Sequence, residues 1–216
     1  MKPVVLMPDR IPPRLRSRII AWLRFVAIFC LVFVPVYVGG GWLAAASGRA
    51  FDLVLPGETA IPLVPWMVWP YLSLYPLFLL PLFHLGPRDM AVLTRQSVAV
   101  LAVAALAFVL LPGRLAYADN PVEGLSGTVI ALIRAADTPH NTVPSLHVAF
   151  AWLILLACLS RAGPHLAWLY RAWMALMAVS ALLVHQHHIL DIVAGGGLAL
   201  AARGLMPMPA AAAAAR

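Results

Sequence analysis

Apolar residues run through this chain in long blocks broken by short polar punctuation. They neither alternate nor keep to one helical face. A block of about 20 mostly apolar residues is what a helix needs to cross the hydrocarbon core of a bilayer. Six such blocks can be marked, at roughly 19–38, 66–85, 91–112, 145–160, 165–185 and 187–206. The fourth is short, and almost nothing separates the fifth from the sixth, so a tight turn must carry His185 to His187. The pattern predicts an all-α fold, a polytopic membrane helix bundle of about six transmembrane helices. Residues 1–18 read as a basic N-terminus, 19–206 as a single membrane-embedded domain, and 207–216 as an Ala-rich flexible tail.

Composition strengthens this picture. The chain is 63% hydrophobic and 11% charged, where soluble domains run at about 45–50% and roughly 25%. Its mean hydropathy is +0.91. So much apolar surface does not fit inside a water-soluble core of 216 residues. Lys and Arg number 15 against 8 Asp and Glu. In a soluble protein that excess would point to nucleic acid, but here the basic residues flank apolar blocks and no nucleic-acid partner is expected. Twelve of them (Lys2, Arg10, Arg14, Arg16, Arg18, Arg24, Arg88, Arg95, Arg161, Arg171, Arg203 and Arg216) fall on one side of the predicted topology. Arg49, Arg114 and Arg134 fall on the other. The asymmetry puts both termini in the cytoplasm and the loop 113–144, with the turn near His185, on the extracytoplasmic face. The first block followed by Ala44-Ala45-Ala46 loosely fits a cleaved signal, but its apolar core is long and Gly39-Gly40-Gly41 intervenes, which favours an uncleaved span. Trp66 and Trp69 read as headgroup-level anchors. Cys30 and Cys158 lie in apolar blocks without metal-type spacing.

Against this background the ionisable groups at block ends stand out, because such groups are costly in a membrane and lean functional. His187 and Asp191, four apart, share one helical face. A carboxylate there can hold one imidazole nitrogen and leave the other free to attack. Gly195 lies one turn further along, followed by Gly196 and Gly197, so the face reads as packed closely on a neighbour. The plainer reading is a His–Asp tie between helices. Pro144-Ser145-Leu146-His147 opens another block. With Pro144 as first helical residue, free backbone N–H groups and the Ser145 hydroxyl would favour an anion, and a protonated His147 could donate to a departing oxygen. Ser145 could equally be a cap and His147 an interface residue. His185 is either a phosphate ligand or a polar group of the turn, and His188 faces away as an interfacial or packing residue. Asp137, His140 and Asn141 precede the second motif in a polar loop. Arg114 and Arg134 supply the loop's positive charge, suited to phosphate or merely snorkelling to the surface.

Pro144-Ser145-Leu146-His147 together with His187-x-x-x-Asp191 resembles the type 2 phosphatidic acid phosphatase superfamily, over about the last half of the chain. The wording Asn141-Thr142-Val143-Pro144-Ser145-Leu146-His147 and Gln186-His187-His188-Ile189-Leu190-Asp191 looks most like its inositolphosphotransferase branch. The resemblance implies six membrane helices and a metal-independent reaction without cofactor. His187 would form a phosphohistidine, Asp191 would orient it, and His147 would protonate the leaving alkoxide and then activate water or an alcohol. Ser145 and nearby amides would bind the phosphate. Leu146 replaces the family's usual Gly. Ser180 matches the Ser of the third motif, but Ala181 stands where that motif has Arg. No Lys-(six residues)-Arg-Pro first motif is present, and Arg114 is the nearest stand-in by position.

The expectation is thus an integral membrane phosphatase acting on a phosphorylated lipid, of phosphatidate or polyprenyl-phosphate type, at the extracytoplasmic face of a bacterial inner membrane. Its partners would be that phospholipid or isoprenoid-phosphate substrate and the surrounding membrane lipids, and assembly as a homo-oligomer stays open. Transfer of a phospho-headgroup to an alcohol such as inositol is the alternative acceptor chemistry. Two other classes remain: a metal or haem protein using His147, His185, His187 and His188, and a lipid-phosphate binder without turnover.

Overall fold

The computed structural model describes residues 12–118, 121–137 and 140–210. Lys2, Arg10, Arg216 and the last six residues of the tail lie outside them. The elements are α1 (Pro13–Ser47), two short 3-10 turns (Glu58–Ala60 and Pro65–Met67), α2 (Val68–Leu72), α3 (Leu74–Leu77), α4 (Leu80–His84), α5 (Pro87–Leu110), α6 (Gly124–Ala136), α7 (Leu146–Leu159), α8 (Pro164–Leu183) and α9 (Ile189–Leu205). Among the described residues no strand forms, beyond an isolated bridge between Phe51 and Gly113.

Three of these helices, α1, α5 and α8, are long and apolar enough to cross a membrane. The expected six spans are not matched one for one, for reasons written in the sequence. The block 66–85 contains Pro70, Pro76 and Pro81, and the chain there breaks into α2, α3 and α4. Each proline lacks an N–H and its ring obstructs the preceding turn. Tight bonds bridge the breaks, as from Ser73 N to the Pro70 carbonyl and from Phe78 N to the Tyr75 carbonyl. The block 145–160 yields α7, whose 14 residues rise about 21 Å at 1.5 Å each, short of a ~30 Å hydrocarbon core. The first block runs further than expected, through Gly39-Gly40-Gly41 to Ser47, and stops where Gly48 turns left-handed at φ 65°. The expected loop 113–144 contains a helix, α6. Its Val129, Ile130 and Ile133 recur at helical spacing, and Ile130 is buried under it.

Two pairs of helices fix the direction of everything else. α1 and α5 run parallel: Gly40 meets Phe108 at one end, and residues 17–28 lie beside residues 87–95 at the other. α7 and α9 also run parallel, starting side by side where Ser145 N donates to the Asp191 carbonyl at 3.0 Å. A Cβ on Gly195 would land on the carbonyl oxygen of Ser145, so only glycine lets these backbones meet. α8 runs the other way and is tied to α7 by Trp152 Nε1 donating to the Met174 carbonyl at 2.9 Å.

The main core lies between α1, α5, α7, α8 and α9, with Phe25, Leu93, Leu101, Phe108, Phe150 and Leu153 sealed in it. A smaller cluster of Val68, Tyr71, Ile130, Val148, Ala181 and Val184 sits below α6. Leu31, Leu106 and Trp168 point outward, each more than half exposed, as a lipid-facing surface allows. At the end opposite the histidines, Arg161 grips Asp89 through two bonds of 3.0 and 2.7 Å and Gln96 binds the Met206 carbonyl at 2.6 Å.

Candidate active site

The two histidine segments meet at one end of the bundle. His147 lies in the first turn of α7 and His187 just before α9. Because α7 and α9 start together, the two imidazoles converge, with ring centroids 6.2 Å apart and planes inclined at 52°.

His187 is 7% exposed and lines a cavity of about 310 Å3. Its Nδ1 lies 3.2 Å from the Thr142 carbonyl and 3.6 Å from Asp191 Oδ2. Both neighbours are acceptors, so the ring proton belongs on Nδ1 and the lone pair on Nε2. The ring's hydrogen bond goes to Thr142, and Asp191 adds negative charge one step further out. The Asp191 carboxylate has a second task. Its Oδ2 accepts the His188 N–H at 2.8 Å, closing the first turn of α9, while Oδ1 is buried without a partner. That cap is why the turn 184–188 and the helix start hold one geometry.

His147 packs flat on Tyr71, with centroids 4.1 Å apart, and its Nδ1 is 3.0 Å from the Tyr71 hydroxyl. Its Nε2 is buried and has no partner. One ring nitrogen is therefore held and the other is enclosed without a partner, behind the cavity wall rather than on it.

The remaining candidates divide. Arg134, at the end of α6, lines the cavity with Asp137, Asn141, Thr142 and Gln186. Arg114 does not. It makes an exposed two-bond pair with Asp52 at 2.9 and 2.7 Å. Ser145 takes the capping reading of the two left open. α7 begins at Leu146, not Pro144, and Ser145 is its N-cap, with Oγ accepting the Val148 N–H at 3.3 Å. It is fully buried and is not on the cavity wall. His185 lies on the wall, but its Nε2 bonds the Ile61 carbonyl at 3.0 Å and its ring stacks on Tyr117 at 4.0 Å. Burial holds its pKa below 6.5, with the nearby Arg134 charge adding to it, against the opposing pull of the Ile61 bond. It is a neutral ring whose N–H is already engaged.

A second His–carboxylate pair lies behind the first. His188 is fully buried, with Nδ1 3.1 Å from Glu58 Oε1 and Nε2 accepting the Ala116 N–H at 3.0 Å. Glu58 also accepts from Ile189 N at 2.6 Å, Tyr117 Oη at 3.2 Å and Leu55 N at 2.9 Å. Burial works against its charge, but the Leu55 and Ile189 N–H groups, and then the His188 ring, outweigh it and hold the carboxyl below its ordinary 4.5. For Tyr117 burial and the Glu58 charge push the phenol well above its usual range, so it stays a neutral donor.

Sequence reasoning missed Tyr71, Glu58, Tyr117, Gln186 and the Thr142 carbonyl. Glu58 carried a signal: it is an isolated acid in a Pro-rich, charge-poor segment. Gln186 carried a weaker one, a polar residue between histidines at a block end. Tyr71, an aromatic in an apolar block, and Thr142, acting through its backbone, carried none. Among the described residues no group of three or more His, Cys, Asp or Glu is placed to hold a metal ion. No family model, no curated protein and no solved structure matches this chain. Its fold defines it as an all-helical protein with helices of membrane-spanning length.

Proposed function

We propose that this protein is a membrane phosphatase that cleaves the phosphoester of a lipid, of phosphatidate or polyprenyl-phosphate type, through a phosphohistidine on His187. The single observation that carries the reading is the convergence of His147 and His187 at 6.2 Å, each with one nitrogen engaged and the other without a partner. The motif resemblance adds to it. By the positive-inside argument the site belongs to the extracytoplasmic face, and the short loops suit a bacterial inner membrane.

The chemistry balances with these two rings. The Nε2 lone pair of His187 attacks phosphorus, an N–P bond forms and the ester P–O bond breaks. His147, as imidazolium with Nδ1–H directed at the Tyr71 hydroxyl oxygen, gives its Nε2 proton to the departing alkoxide. The substrate's own negative charge is the counter-charge a cationic ring needs in this setting. His147 Nε2 then takes a proton from water, the resulting hydroxide attacks phosphorus, the N–P bond breaks and inorganic phosphate leaves. An alcohol in place of that water gives phosphotransfer by the same steps. Arg134 on the cavity wall supplies charge to the phosphoryl oxygens.

The test is release of phosphate from phosphatidate, lysophosphatidate, phosphatidylglycerol phosphate and polyprenyl pyrophosphate in detergent, with and without an alcohol acceptor. The parent should turn over at least one, and His187→Ala and His147→Ala none. Silence of the parent on all of them, with no transfer to inositol, leaves a lipid-phosphate binder without turnover.

A further inference from the structure

We infer that Gln186 donates its side-chain N–H to a non-bridging phosphoryl oxygen and so completes the anion site beside His187. The inference rests on the phosphoryl-transfer reading above and names a binding residue that the motif resemblance does not.

Gln186 is 4% exposed, lines the cavity, and leaves Nε2 buried without a hydrogen-bond partner. A buried amide donor without a partner is destabilising unless something accepts from it. Of the other donors around it, the Thr142 hydroxyl on the same wall is also uncommitted, while the following are engaged. The backbone N–H groups of Gln186 and His187 both go to the Ala181 carbonyl, at 3.3 and 3.2 Å. His185 Nε2 goes to Ile61, and Tyr117 Oη goes to Glu58. Ala181 itself brings no side-chain donor to the region. Gln186 therefore lies on the wall that also carries Arg134 with an uncommitted donor, and rotation of its terminal amide, a soft torsion, presents Nε2 to an anion seated against His187. Adjacency in the chain matters physically. The turn that aims His187 also aims Gln186, so nucleophile and donor move as one piece.

The chain contains two glutamines, Gln96 and Gln186. Gln96 Nε2 is held by the Met206 carbonyl at the far end of the bundle. Selective 15N-glutamine labelling of the whole protein in detergent thus gives one reporter at the site and one internal control, assigned by loss of a signal in Gln186→Glu. On titration with inorganic phosphate, the Gln186 side-chain amide should shift and saturate while the Gln96 amide stays still. In Gln186→Ala the affinity for phosphate should fall tenfold or more. It should fall further in Gln186→Glu, where an acceptor replaces the donor. Saturable phosphate binding, followed by 31P line broadening, with an unmoved Gln186 amide or an unchanged affinity in Gln186→Ala overturns the inference and leaves the phosphoryl-transfer reading standing. Absence of saturable phosphate binding in the parent overturns both. Because the amide shift is read in the parent, a poorly folding variant does not remove the test.

Discussion

His187 and His188 are neighbours in the chain, and each has a carboxylate partner, yet they are built to opposite ends. At His188 every polar atom is matched. Both ring nitrogens are bonded, and Glu58 accepts from four groups drawn from three chain segments. At His187 the matching is incomplete. Its Nδ1 is shared between a carbonyl and a carboxylate at 3.2 and 3.6 Å, and Asp191 Oδ1 and His147 Nε2 are left without partners. Full satisfaction stabilises and fixes a buried polar cluster. Unmatched buried atoms cost stability, and here they sit directly behind His187, the member of the pair that lines the cavity. The sealed pair braces the turn on which the open pair depends, since Glu58 holds both the His188 ring and the Ile189 N–H.

The contrast can be broken experimentally, most sharply by activity. His187→Ala should lower phosphate release about a thousandfold or more while thermal unfolding in detergent stays close to the parent's. A variant that keeps turnover would put the nucleophile elsewhere. Glu58→Ala should do the reverse in stability. Removing one partner of a buried, bonded pair costs about 3–5 kcal/mol, and here it strands donors from Leu55, His188 and Ile189 as well. A parent-like unfolding curve would show that the cluster braces nothing. Gly195→Ala tests the link between the two regions. The new methyl must push α9 from the Ser145 carbonyl, and a 1 Å misplacement of reacting groups is worth about a hundredfold in rate. An unaltered kcat/KM would mean that the separation of the two imidazoles is not critical.

Acid should touch the sealed pair in a defined direction. Glu58 has a folded pKa below its ordinary 4.5. Its contribution to stability is therefore complete above about pH 4.5 and is lost as pH falls through the folded value. The parent should show an acid limb of unfolding in that window, and Glu58→Gln should flatten it. An identical limb in both proteins would assign it to another carboxylate.

Much of the fold was legible along the chain, because blocks of apolar residues declare helices wherever the backbone must satisfy itself. The cores of α1, α5, α8 and α9 follow the blocks. The breaks at Pro70, Pro76 and Pro81 are equally visible as residues, but whether a proline kinks a span or divides it depends on what packs around the freed carbonyls. α6 was legible only in the weak sense of its Val129, Ile130 and Ile133 spacing, since Gly and polar residues surround it. Among site residues, His147, His187 and Asp191 announced themselves by cost: an ionisable group at an apolar edge needs a reason.

Read along the chain alone, the residues declare helices, strong apolarity and two histidine motifs at block ends. Which groups serve those motifs emerged from the packing of distant segments. That packing sent Arg114 to Asp52 and Arg134 to the cavity, and gave the His187 proton to the Thr142 carbonyl. It also gave Ser145 to a cap and Glu58 to His188. The physical reason is that hydrogen-bond partners are chosen by distance and direction between segments more than forty residues apart, as Thr142 and His187 are, and nothing in local spacing records such meetings.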